Sequence, residues 1–236
     1  MSDIEKNAEV LMASSLEASD ANPEDIRAMA HGLLASFVGD SRTEDTGDMP
    51  GEEVDTTVDQ ISTQMRGYLS DPDSVVACDG EKLVGLIGVE HHGKTKDGRE
   101  ILQLSRGNVN PEYRDAQIGS RMYVMVMENI AKKYPGAVII GFSMQKSVYE
   151  NLQAIGYKEI SYEDYARLVG YDVDEFLSNT DRFKKDGYVA LALPPEGWDM
   201  EANIPDKIVV PEVTEVTSLR SRAWGAVRSV VRSLRR

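Results

Sequence analysis

A single cysteine, Cys78, stands in 236 residues, so no internal disulfide can form and a reducing compartment is the natural setting. The chain also lacks any run near the ~18 to 20 consecutive apolar residues that a membrane-spanning helix needs. Its opening MSDIEKNAEV is acidic and has no apolar core, which predicts that it is not a secretory signal and makes the cytoplasm the default expectation. Basic residues are scarce: 26 Lys and Arg face 40 Asp and Glu, a net charge of −14. Duplex phosphates would be repelled by most of such a surface, which disfavours nucleic acid as a partner. Only three histidines are present, and no Cys/His or Asp/Glu cluster has metal-ligand spacing, so no metal is expected. There is no internal repeat and no defensible Ser–His–Asp arrangement.

A hydrophobic fraction of 41% suffices for a real core, and the length suits one large domain with appendages. After a short extended piece near AEVLMA, Asn22 and Pro23 read as the cap and first residue of a helix ending near Val38. Ile26, Met29, Leu33 and Phe37 form its apolar face. An acidic stretch follows, with Asp40, Glu44, Asp45, Asp48, Glu52, Glu53 and Asp55 against Arg42. Val54, Val58, Ile61, Met65 and Leu69 then mark a second amphipathic helix. Asp79-Gly80 and Asp97-Gly98 are tight-turn signals that divide a β-rich region into a three-strand meander. AVIIGF reads as a short buried strand, SVYENLQAIGY as a helix ending at Gly156, and GYVALALP as a last strand. Leu168, Val173, Phe176 and Leu177 predict a helical insertion over about 161–186. The order of elements is that of a mixed α/β sheet with helices on its faces.

One segment carries chemistry. NVNPEYRDAQIGSRMYVMVMENI passes from a strand through Pro111 and a lone Gly119 into a helix. The first N–H groups of a helix lack internal acceptors, and its dipole favours an anion at that end. Gly119 permits close approach, while Gln117 is expected to keep a negative φ with its side chain outward. Met122, Met125 and Val126 read as packing residues of a helix that is largely buried.

That order of elements, together with VNPEYRDAQIGSRM and NLQAIGYKEI, resembles the GNAT superfamily of acyl-CoA-dependent N-acyltransferases over roughly residues 8–193. The family's cofactor loop carries a Val, a Pro and then Arg-x-x-Gly-x-Gly/Ala opening a helix. Val109, Pro111, Arg114 and Gly119 match it, and Gln117 replaces the first Gly. Gly156-Tyr157 matches the family's helix-ending Gly-Phe. The resemblance implies a mixed, mostly antiparallel sheet with helices on both faces, and acetyl-CoA as acyl donor. Its pyrophosphate would be held by Val109, Arg114, Asp115, Ala116, Gln117, Ile118, Gly119 and Ser120, largely through backbone N–H groups. The acceptor would be an amine on a small molecule or a protein, acylated by direct transfer, and a homodimer is admitted.

The family's proton-moving residues are less well matched. A Tyr that protonates the leaving thiolate would fall at Leu152; Tyr149, three residues earlier, is the available substitute, although it reads more readily as a packing residue. The general base would fall at Gln103, which cannot take a proton. Glu90, His91 and His92 are the alternatives, although both histidines also read as solvent-facing hairpin residues. They point to opposite faces of a strand and would not share a metal. These departures leave open a catalytically degenerate GNAT-fold protein that binds a partner. The acidic stretch borders the family's acceptor site and would concentrate a cationic amine, or it is simply a solvated loop.

The remaining segments read as appendages to a domain over 1–195: an acidic, Pro-containing linker over 196–217 and a basic amphipathic helix over 218–236. The six arginines of that helix contribute +6, so residues 1–217 carry −20 against −14 for the whole chain. Leu219, Trp224, Val227, Val231 and Leu234 form its apolar stripe. Such a helix docks on protein, its own or another, or on an anionic membrane.

Overall fold

The computed structural model describes residues 8–13, 21–38, 50–143, 146–185 and 188–205. Most of the acidic stretch before Pro50 and the whole basic helix over 218–236 lie outside the described residues. Among those described, no helix is long and apolar enough to cross a membrane.

Seven strands are hydrogen bonded in the order β1, β2, β3, β4, β5, β7, β6. They span Glu9–Met12 (β1), Val75–Asp79 (β2), Lys82–Lys94 (β3), Glu100–Val109 (β4), Val138–Ser143 (β5), Lys158–Glu159 (β6) and Val189–Leu193 (β7). The meander is as expected. Gly80 and Gly98 sit at its two turns with φ of 60° and 85°, where a side chain would be strained. The chain forms two compact units, and β3 and β4 each run from one into the other.

In the first unit β1 pairs antiparallel with β2, and β2 with β3, with a bulge between Ala77 and Cys78. Helix α1 spans Pro23–Val38 and α2 spans Gly51–Leu69. Asn22 caps α1, its Oδ1 accepting from the Glu24 N–H at 3.0 Å. The expected apolar stripes are the core: Ile26, Met29 and Leu33 of α1 and Val54, Val58, Ile61, Met65 and Leu69 of α2 are all buried. Burial of each such side chain stabilises by about 1.5–3 kcal/mol. The acidic stretch ends earlier than expected, because Glu52, Glu53 and Asp55 already belong to α2. Asp55 and Asp59 pair there with Arg27 of α1.

Helix α3, Ile118–Lys133, begins in this unit. Asn108 of β4 donates through Nδ2 to the Met29 carbonyl of α1 at 2.7 Å. Its neighbour Val109 lies instead toward Gly119 of α3, with Cγ2 3.7 Å from where a Cβ would stand. Successive strand residues face opposite ways, so α1 and α3 cover opposite faces of this part of the sheet. Ile118, Met122, Val126 and Ile130 form the buried stripe of α3. The helix is less enclosed than its apolar composition suggests: Val124 is 54% exposed and Met125 is only half-buried.

In the second unit β4 and β5 form the parallel pair, and their ladder is short. It joins Ile101, Leu102 and Gln103 to Val138, Ile139 and Ile140, and ends there although both strands continue. On its other side β5 pairs antiparallel with β7, Ile139 to Ser143 against Leu193 to Val189. Helix α4, Lys146–Ala154, stops before Gly156, whose φ of 105° makes it the expected C-terminal glycine. Strand β6 then pairs with β7, an element too short to show in the sequence pattern.

Within the segment read as an insertion lie α5 (Tyr162–Val169), α6 (Val173–Leu177) and α7 (Thr180–Lys185). Ser161 and Asp172 cap the first two by accepting from the N–H groups of Asp164 and Glu175. Phe142 of β5 stacks between Tyr165 and Tyr188, each centroid 4.9 Å away, and Phe176 and Phe183 meet it edge-on. Part of the stretch read as linker is folded onto this unit. Met200–Asn203 form α8, the Asn203 carbonyl accepts from the Lys96 N–H at 3.0 Å, and Ile204 is buried.

One glycine of β3 is demanded by packing in the first unit. A Cβ at Gly88 would run into the ring of Tyr68 on α2. Gly88→Ala is expected to lower unfolding free energy by about 1–3 kcal/mol through overpacking. Gly88→Ala combined with Tyr68→Ala should recover part of that cost relative to the sum of the single changes. Urea denaturation of the single and double variants checks this; full additivity would show that the ring is not the obstacle.

Candidate functional site

The strand-to-helix passage is built by short-range polar bonds. Asn110, buried at the end of β4, donates its N–H to the Val84 carbonyl of β3 at 2.8 Å. Its Oδ1 accepts from the Glu112 N–H at 3.1 Å, which starts a 3-10 turn over Pro111–Ala116. Pro111 suits the first position because its missing N–H would have no partner there. Tyr113 then anchors the turn to the β2–β3 hairpin, its hydroxyl donating to Asp79 Oδ2 at 2.8 Å. The carboxylate's acceptance of that hydrogen bond, then burial, push the Tyr113 hydroxyl up to about 12. Lys82 pairs with Glu112 at 3.3 Å and lies over the Tyr113 ring.

Gln117 closes the turn in the left-handed region, at φ 55° and ψ 18°. This corrects the expectation of a negative φ. The position demands the conformation that glycine adopts freely, and Gln117 adopts it at a cost of about 1–2 kcal/mol. The Gln117 carbonyl accepts from the Arg121 N–H at 3.1 Å, so α3 opens at Ile118. The N–H groups of Ile118, Gly119 and Ser120 therefore precede the first intrahelical bond. Ile118 is buried and anchors the helix start, while Gln117 and Ser120 are exposed.

Gly119 is open in a telling way. Among the described residues a Cβ there would meet only Val109 Cγ2, at 3.7 Å, an ordinary contact, and its φ needs no glycine. Packing leaves room for a side chain, and an approaching anion would fill it. The backbone of Arg114, Asp115 and Ala116 belongs to the 3-10 turn; their side chains lie outside the described residues.

The second unit holds a separate polar cluster. His92 of β3 is buried, with its side chain 1% exposed. Its Nδ1 lies 3.2 Å from the Val169 carbonyl of α5, and its Nε2 lies 3.1 Å from Gln103 Oε1. The Tyr165 hydroxyl donates to the same Oε1 at 3.2 Å, and Glu90 Oε2 is 3.7 Å from Nε2. Burial, with Tyr171 and Glu90 nearby, holds the Tyr165 hydroxyl protonated far above its usual range. His92 is thus a core residue rather than a solvent-facing one. His91, on the opposite strand face, meets the Tyr134 ring edge-on at 5.4 Å. Glu90 and Gln103 come together around His92. Tyr149, by contrast, points its hydroxyl at Glu159 of β6, at 3.3 Å, and burial and that carboxylate raise its pKa.

Sequence reasoning missed His92 and Tyr165 as partners of Gln103. The spacing Glu90-x-His92 places both on one strand face, but α5, which supplies the other half of the cluster, is 62 residues from Gln103.

No protein-family model matches the sequence, and no curated protein matches it. Solved structures do. The chain is similar to the PaiA N-acetyltransferase of Thermoplasma acidophilum, crystallised with coenzyme A. The identity is 12%, 80% of this chain and 99% of that one are covered, and the TM-score is 0.50. An acetyltransferase of Streptococcus agalactiae is similar at 17% identity, 79% and 98% coverage and a TM-score of 0.46. The chain has the GNAT fold.

Two measurements check this geometry. Gln117→Gly is expected to leave thermal stability unchanged or to raise it by up to about 1 kcal/mol, as relief of strain outweighs unfolded-state entropy. Gln117→Val should lower it by about 1 kcal/mol or more. Tyr113 ionises in the unfolded chain near 10 and in the fold near 12. Its contribution is complete below pH 10 and lost as pH rises from 10 to 12. Tyr113→Phe should therefore flatten the loss of stability across that window relative to the parent protein, as read by denaturant titrations at each pH.

Proposed function

We propose that the chain is an acyl-CoA-dependent N-acyltransferase, with acetyl-CoA as donor and a primary amine as acceptor. The observation that carries this reading is the start of α3. Its N–H groups precede the first helical bond, and Gly119 leaves space that the described packing does not use. A pyrophosphate suits that place in charge and in hydrogen-bonding sense. The backbone from Arg114 to Ser120, with Val109 beneath Gly119, would hold it. The PaiA N-acetyltransferase, which shares the fold, was crystallised with coenzyme A.

In direct transfer the neutral amine nitrogen attacks the thioester carbonyl, the C–S bond breaks, and the amine's proton finally resides on the CoA thiol. Gln103 can hydrogen bond but cannot accept that proton, so proton removal falls to water or to Glu90, and Tyr149 is the candidate donor to sulfur. Tyr149 carries its proton at neutral pH as any tyrosine does, and burial together with Glu159 raises its pKa further. The basic helix over 218–236 is proposed as a docking element for protein or anionic membrane.

A second reading, a GNAT-fold binding protein without turnover, is favoured by the carboxamide of Gln103 and by Leu152 at the positions where chemistry is often placed. Turnover on a panel of amines would defeat it.

Isothermal calorimetry with CoA tests the main reading. Saturable binding is expected, weakened at least tenfold, about 1.4 kcal/mol, by Gly119→Val. No binding at millimolar CoA would remove both the enzyme and the cofactor-module readings, and normal binding by Gly119→Val would show that the anion sits elsewhere. If turnover is found, Tyr149→Phe should reduce kcat more than tenfold; a smaller loss excludes Tyr149 as the acid.

A further inference from the structure

The cluster around His92 has a proton count that its geometry constrains. The Val169 carbonyl can only accept, so the His92 Nδ1 facing it at 3.2 Å carries a proton. Gln103 Oε1 also can only accept, and it faces Nε2 at 3.1 Å while accepting from the Tyr165 hydroxyl at 3.2 Å. With the carboxamide in this orientation both ring nitrogens would donate, as in an imidazolium; with the carboxamide turned, Nε2 accepts and the ring is neutral. Glu90, 3.7 Å from Nε2, supplies the countercharge. From β3 the charged neighbour is Glu90; β4 contributes the uncharged Gln103; α5 contributes the Val169 carbonyl and Tyr165, with Tyr171 beyond it.

Removing the Nε2 proton would leave two lone pairs facing each other in a buried site, at a cost that a turn of the Gln103 carboxamide relieves. The two lone pairs of a carboxamide oxygen and the two hydrogens of its nitrogen lie in the same plane with the same spread. A half-turn about the last side-chain torsion therefore places N–H donors toward Nε2 and the Tyr165 oxygen, which accepts as readily as it donates. The other end of the carboxamide changes at the same moment from amide to carbonyl. Gln103 is half-buried, and the β4–β5 ladder ends at this residue.

We propose that His92 is a positioning residue whose protonation selects which end of the Gln103 carboxamide faces away from the cluster. With His92 charged, Gln103 presents N–H donors; with His92 neutral, it presents a carbonyl acceptor. The orientation is a property of the free protein. Its catalytic consequence rests on the acyltransferase reading: the carbonyl end accepts from the N–H of an incoming amine, so turnover rises as His92 loses its proton.

The experiment is an NMR titration of the isotopically labelled full chain across roughly pH 5 to 9, the range in which histidines titrate. The His92 ring nitrogens and the Gln103 side-chain amide are followed together. The amide signals, identified by their loss in Gln103→Met, are expected to move with the His92 midpoint. Glu90→Gln, which keeps the side-chain size, should lower both midpoints together by about 1 pH unit, because it removes the nearby opposite charge. Gln103 signals that stay fixed through the His92 midpoint overturn the proposal, as does a His92 that keeps one protonation state throughout. Replacing His92 itself would hollow the core, so Glu90→Gln and Gln103→Met carry the test. If the protein turns over an amine, its kcat/KM profile should inflect at the NMR midpoint of His92. An inflection at a different pH overturns the catalytic role and leaves the orientation decided by NMR. If no turnover exists, the acyltransferase reading fails separately from the co-titration.

Discussion

A helix cannot satisfy its own first N–H groups, and at Ile118 this chain arranges much of its first unit around that deficit. Asn110 begins the turn, Tyr113 ties it to Asp79 of the neighbouring hairpin, and Gln117 bends the backbone into the left-handed region so that α3 can begin. Ile118 fixes the helix start in the core, and α3 packs its Met122, Val126 and Ile130 stripe beneath. Each of these bonds is modest, near 1 kcal/mol. Together they hold a few amides in one place through bonds made on folding.

The second unit is organised by a different demand: a buried polar group must find partners. Gln103 places a carboxamide inside this unit, and a carboxamide needs donors and acceptors of matched sense. His92 and Tyr165 provide them from β3 and α5. The short helices α5 to α7 thus do more than enlarge the hydrophobic surface. They bring the Tyr165 hydroxyl and the Val169 carbonyl to the strand end, and their aromatic rings close over Phe142.

Much of this could be read from the residues. Apolar spacing located α1 and α2, because their buried faces repeat at three and four residues, and Asp-Gly pairs located both hairpin turns. The strand-to-helix turn was legible through Pro111, whose missing N–H suits the first position of the turn. What escaped had non-local causes. The αL bend at Gln117 is set by the direction in which α3 must leave, and a Gln gives no sign of it. Whether His92 is buried depends on α5, far away in the chain. The two-residue β6 exists only through pairing with β7. The segment after Pro195, acidic and Pro-containing, gave no sign that Ile204 and the Asn203 carbonyl would be fastened to the hairpin at Lys96.

That fastening has an optical consequence. The chain has two tryptophans, and Trp224 belongs to the undescribed C-terminal stretch. Trp198 donates through its indole N–H to Asp97 Oδ1 at 3.4 Å, against the turn between β3 and β4. With Trp224 replaced by Phe, emission excited selectively from tryptophan reports on whether this short segment is seated on its hairpin. Among the described residues the rings around Phe142 are Phe and Tyr, so their rearrangement is to be followed in the tyrosine bands instead.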